Sequence, residues 1–94
     1  MLTLPIKKKW FDMILSGEKK EEYREITKYY TSRLLGFYAD KTEHYVLFRN
    51  GYRSDSPTIK CKVRVKVGTG KPEWGAEPDK EYYVLEILSV EEVK

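Results

Sequence analysis

The eight residues Gly17-Glu18-Lys19-Lys20-Glu21-Glu22-Tyr23-Arg24 hold three acids and three bases directly after an apolar run. In an extended chain, side chains alternate between two faces, so Lys20, Glu22 and Arg24 share one face and Lys19, Glu21, Tyr23 and Glu25 the other. A carboxylate two residues from a guanidinium on one face can hold it flat toward a phosphate or a base edge. Lys19 joins that pair only if the turn after Gly17 rotates it out of strand alternation. A working site therefore requires the charged ends of Lys19, Glu22 and Arg24 to converge on one concave pocket, within about 4 Å of one another. A charged connection requires none of this.

Other residues are candidates for the same ligand. Lys7, Lys8 and Lys9 stand at the expected start of a helix, where positive charge opposes the macrodipole; Lys9 is read as a phosphate contact. Trp10 and Tyr52 are available for stacking on a base. Gly68-Thr69-Gly70-Lys71 is not a phosphate loop: one residue separates its glycines, and Pro72 follows the lysine. Trp74, just beyond, reads as a stacking platform or as a lid over one end of the fold. Lys60, Lys62, Arg64 and Lys66 form a ladder of like charges, to be neutralised by acids of the C-terminal strand or by phosphates.

These residues need elements to position them. Ile6, Trp10, Met13 and Ile14, with Phe11 and Leu15, predict an amphipathic helix that Gly17 ends. Leu2 to Ile6, containing Pro5, reads as an edge strand. Lys19 to Ile26 is extended, and Ile26 to Leu35 is a second short helix with Gly36 as its stop. His44 to Arg49 reads as a strand closed by Asn50-Gly51. Alternation from Thr58 to Val67 predicts a half-buried strand with Cys61, Val63 and Val65 inward and Lys62 and Arg64 outward. Gly68 to Pro78 is a loop, and Glu81 to Val93 returns as strand, with Tyr83, Leu85 and Ile87 on one face. The fold class is α+β: a closed or nearly closed small barrel of five or more mostly antiparallel strands with two short helices.

The 94 residues suit one domain with one core. One cysteine and one histidine exclude an internal disulfide and leave a metal site only carboxylates to add, so none is expected. Cys61, on the apolar side of its strand, is a buried hydrophobe and not a nucleophile. The net charge of +3 divides into 16 bases against 8 acids over residues 1–72, a sum of +8, and 2 against 7 over residues 73–94, a sum of −5. That asymmetry favours an anionic ligand on the basic portion. No apolar run is long enough for a membrane span, and the first residues place charge after apolar residues, the reverse of a secretory signal; a cytoplasmic protein without membrane contact is expected.

Gly17, Lys19, Glu22 and Arg24 follow the pattern G-x-K-x-x-E-x-R after an amphipathic helix, and here the chain resembles the ASCH family, small domains related to the PUA fold. Leu4 to Gly17, Asn50-Gly51-Tyr52, Trp74-Gly75 and Tyr82 to Ile87 extend the resemblance over nearly the whole of residues 1–94. It implies a PUA-like barrel with a cleft that receives the motif's Lys, Glu and Arg, and a ligand that is RNA or nucleotide-like. No cofactor is expected. Some ASCH-like proteins are amidohydrolases acting on N4-acetylcytidine through the motif Lys, a Thr three residues on and a later Glu. Here Glu22 takes that Thr position, and Thr27 and Thr31 are displaced from it. Others are thought to cleave RNA with Lys and Tyr. The expected function is therefore binding of RNA or a nucleotide through Lys9, Trp10, Lys19, Glu22, Arg24 and Tyr52. The alternative is a small hydrolase in which Lys19 and Glu22 activate water, given a Glu22 carboxyl raised toward neutrality by burial.

Overall fold

The structure, a computed structural model, describes residues 1–93. Its elements run β1 (Leu2–Pro5), α1 (Lys8–Leu15), β2 (Glu21–Glu25), α2 (Lys28–Asp40), β3 (Glu43–Arg49), β4 (Thr58–Thr69), a 3-10 turn (Pro72–Trp74) and β5 (Glu81–Glu92). The five strands form one sheet in the order β1-β3-β4-β5-β2, curled into a half-barrel. Only the β1–β3 pair is parallel; the other three pairings are antiparallel. The five mixed strands and two helices make the expected α+β barrel-like fold, curled but without full backbone closure. β1 and β2 are the two edges of the sheet, and no ladder joins them.

The alternation in β4 works as its sequence requires. Ile59, Cys61, Val63 and Val65 are buried, while Arg64 and Lys66 face solvent and Lys62 is partly covered. Val67 departs from the pattern at the strand end. Burial of the thiol pushes the Cys61 pKa up to about 12, as expected of a buried hydrophobe. On β5, Leu88 is an extra residue between the pairs Lys62–Ser89 and Val63–Ile87, a β-bulge. The bulge resets parity, so that Val90 as well as Ile87 packs on the core reached by Tyr83 and Leu85. Tyr82 and Val84, on the other face, are covered by Ala76 and Tyr23. The start of β5 is thus buried on both sides.

The counter-charges for the basic ladder come from three strands. Arg64 pairs with Glu43 of β3 at 2.8 Å, and Lys66 sits 3.4 Å from Glu86 of β5 and 3.6 Å from Glu21 of β2. Lys60 stands over the Tyr45 ring.

Both helices close over the core, with Phe11 and Ile14 buried from α1 and Leu34 from α2. Thr27 caps α2 by accepting from the Tyr30 amide at 3.2 Å. The helix does not stop at Gly36. Phe37, three residues after Leu34, packs against the core and stacks on His44 at 3.9 Å. Burying an aromatic ring outweighs the ~1 kcal/mol cost of an interior glycine. The chain turns instead at Lys41, in the left-handed region at φ 57. No helix of the described residues is long and apolar enough to cross a membrane.

Candidate functional site

The turn after α1 answers the question set by Lys19. Gly17 takes φ 86, its amide donates to the Ile14 carbonyl, and the Lys19 amide reaches back to the Met13 carbonyl at 2.9 Å. The chain wraps the helix end before β2 begins at Glu21. Strand alternation therefore does not apply to Lys19, and its side chain turns inward to the face of Glu22 and Arg24.

All three motif residues are buried: Lys19 is 1% exposed, Glu22 6% and Arg24 8%. The Glu22 carboxylate lies between the two cations, with Oε1 3.1 Å from the Lys19 ammonium and Oε2 accepting from Arg24 Nη2 at 2.7 Å and Nε at 3.1 Å. The charged ends meet within salt-bridge distance as expected, but the expected sharing of one pocket by all three is not met, because Lys19 lines none of the cavities. Lys19 also donates to the carbonyls of Glu21 and, at 2.8 Å, Trp74. With Glu22, these acceptors account for all three ammonium protons. Burial lowers the Lys19 pKa, against the Glu22 charge that holds it up.

Arg24 uses its fork fully. Beyond Glu22, Nη2 donates to the Pro5 carbonyl at 2.9 Å and Nη1 to the Tyr30 hydroxyl at 3.2 Å. Four of the five guanidinium N–H groups are thus engaged, and one on Nη1 has no protein partner among the described residues. No buried side-chain polar atom among those residues lacks a partner.

A groove opens over this cluster. Its first chamber, about 390 Å³, is walled by Trp10, Tyr23 and Tyr30 and floored by Glu22 and Arg24, with Glu25 and Lys7 at its margin. A second, about 360 Å³, shares Pro5, Ile6, Lys7, Arg24 and Tyr30 with the first and adds Asn50, Gly51 and Tyr52. A third, about 260 Å³, continues past Gly51 and Tyr52 to Thr3, Tyr29 and Arg49.

Of the sequence candidates, Trp10, Glu22, Arg24 and Tyr52 line this groove. Lys19 does not; it lies behind Glu22 as a support. Lys9 is also off the groove, its ammonium 4.7 Å from the Trp10 ring centroid. Trp74 contributes its carbonyl to Lys19, and its ring lies under the Lys71 ammonium. Gly75 matters more than Trp74 to the cleft wall: at φ 103, a Cβ there would come within 2.9 Å of the Trp10 ring. Thr31 bonds the Tyr83 hydroxyl at 2.8 Å, and Thr27 is a helix cap.

Tyr30 and Asn50 line the groove without standing out in the sequence as candidates. Lys7 was visible only as one of three lysines, and it is the one that precedes α1 and turns to the groove. Tyr30 reads from sequence as a core position of α2. Asn50 reads as a turn residue; its amide side chain donates to the Ile6 carbonyl at 3.0 Å and fixes the β3–β4 loop against the segment after β1.

The chain matches no protein-family model, no curated protein and no solved structure.

Proposed function

We propose that this chain is an RNA- or nucleotide-binding domain of the ASCH type, whose ligand lies in the groove above Glu22 and Arg24. The observation that carries the reading is the buried Lys19–Glu22–Arg24 cluster beneath an aromatic cleft. Three ionised groups taken out of water cost stability unless they are paired and hydrogen-bonded, and replacing such clusters by apolar residues is often neutral or stabilising. A ligand supplies a reason for keeping them. Glu22 holds the guanidinium rigid, so its remaining N–H is presented without loss of side-chain entropy, a preorganised donor for phosphate or a base edge. Lys7 at the margin adds a cation for phosphate, and Trp10, Tyr30 and Tyr52 offer aromatic surface for a base.

Both Glu22 oxygens are engaged by cations, and Lys19 has all its protons committed to acceptors. That arrangement supports a positioning role for the pair over direct proton transfer in a hydrolase. The test is incubation of the protein with a panel of nucleosides, nucleotides and short RNAs, read by mass for bound ligand and for product together. Retained ligand at unchanged mass is the expected outcome, with retention lost in Arg24→Ala. Turnover of any panel member that disappears in Glu22→Gln while the ligand is still held would replace binding with hydrolysis.

A further inference from the structure

The second and third chambers differ in charge from the first. Glu22 and Glu25 line the first chamber, Glu22 paired with Lys19 and Arg24 and Glu25 with Lys80, and Lys7 and Arg24 line it too; no carboxylate lines the other two, which carry Lys7 and Arg24 in the second and Arg49 in the third. On the outer face of the sheet, Arg64 and Lys66 are matched by acids; neither Lys7 nor Arg49 has an acidic partner within salt-bridge distance among the described residues. Among the described residues, the Arg49 guanidinium makes one hydrogen bond, from its Nε to Thr58 Oγ1 at 3.4 Å.

Between these two chambers stands Tyr52. It is 91% exposed, so its ring gains nothing from the core. Its loop is nevertheless fixed: Gly51 takes φ 130, and a Cβ there would fall 2.5 Å from Ser56 Oγ. The amide of Asn50 donates to the Pro57 carbonyl at 2.9 Å, and that of Ser56 to the Arg53 carbonyl at 3.0 Å. A rigid turn that lifts a bare aromatic ring between two basic chambers has the form of a stacking platform on a phosphate track.

We propose that the groove takes a single-stranded polynucleotide of several nucleotides, with one base in the aromatic first chamber and the following phosphates along Lys7, Arg24 and Arg49 past Tyr52. This rests on the nucleotide-binding reading and deepens it. Each chamber has the scale of a site for one small-molecule-sized group, roughly 300 Å³ or more for the first two. Three in series are more than one nucleotide fills, and the two that lack carboxylates suit the polyanionic part of the ligand.

The test is calorimetric titration of the full chain with adenylate and uridylate oligomers of one, two, four and six nucleotides at fixed low salt, using wild type and Arg49→Ala. Affinity is expected to rise at least about tenfold from one nucleotide to four and then level off, as successive stacking and phosphate contacts are added. In Arg49→Ala the ratio of tetramer to mononucleotide affinity should fall several-fold. Equal affinity for mononucleotide and tetramer in wild type, or an unchanged ratio in the variant, overturns the extended track and leaves the nucleotide reading standing. Absence of binding at every length overturns both.

Discussion

Arg24, in the edge strand β2, donates a 2.9 Å hydrogen bond to the carbonyl of Pro5, the last residue of the opposite edge strand β1. The half-barrel has no backbone ladder at this seam, so a side chain ties the two edges, and the same guanidinium forms the groove floor. Stability and the proposed ligand site therefore share a residue. Arg24→Ala leaves Glu22 with one cation instead of two and removes the side-chain tie from β2 to β1, which keeps its ladder with β3. Breaking a buried pair of this kind costs about 3–5 kcal/mol. Urea denaturation should show a loss of that size, with hydrogen exchange accelerating most in β1. A loss below about 1 kcal/mol would mean that the seam is held by other contacts.

Lys19 supports the cluster from behind. Lys19→Met keeps the length of the side chain but leaves the Glu21 and Trp74 carbonyls without their donor, at about 1–3 kcal/mol for each buried group left unsatisfied. Chemical denaturation should register a loss of about 2–6 kcal/mol from these two groups, and the Pro72–Trp74 turn should exchange faster than in the wild type. Unchanged exchange in that turn would show that the Lys19–Trp74 contact does not anchor it.

Gly75 controls the cleft wall. Gly75→Ala must place a methyl at φ 103 and 2.9 Å from the Trp10 ring, so both backbone and ring are strained. The expected loss is about 1–2 kcal/mol, with a change in the near-ultraviolet circular dichroism of the tryptophans. A native spectrum with full stability would show that Trp10 has room the packing denies it.

The buried thiol of Cys61 gives a pH signature. Its folded pKa of about 12 lies above its ordinary value of 9.0. Below pH 9 both states hold the proton and the group contributes nothing. Above pH 9 the unfolded chain loses it first and binds fewer protons than the folded one, so stability falls as pH rises, by up to about 1.4 kcal/mol per pH unit. Cys61→Ala should lose stability less steeply between pH 9 and 10.5 in parallel urea titrations, whatever its absolute stability. Equal slopes would contradict the burial.

The strands were legible because their signals are local. Alternation from Thr58 onward set the inward face of β4, and the stripe around Trp10 and Ile14 set the buried side of α1. The site was legible only in part. Alternation assigns Lys19 to the wrong face, and only the left-handed Gly17 turn explains its inward course. The extension of α2 beyond Gly36 depends on Phe37 finding the core and His44, a tertiary contact with no local mark. Asn50 was hidden for a similar reason: it reaches the groove through the approach of the β1 end to the β3–β4 loop, 44 residues from Ile6 to Asn50. The open seam between β1 and β2 likewise depends on which strands pair, which alternation does not specify.

We propose the groove above Glu22 and Arg24 as the ligand site. It is tested most directly by adding hexauridylate to 15N-labelled protein and following the side-chain signals of Arg24 Nε, Trp10 Nε1 and Asn50 Nδ2 together with the Gly51 amide. Saturable shifts at these four positions, weakening as salt rises because phosphate contacts release counterions, are the predicted result. Shifts confined to the outer sheet face around Tyr45, Lys60 and Lys62, with the four groove signals unmoved at saturation, would contradict it.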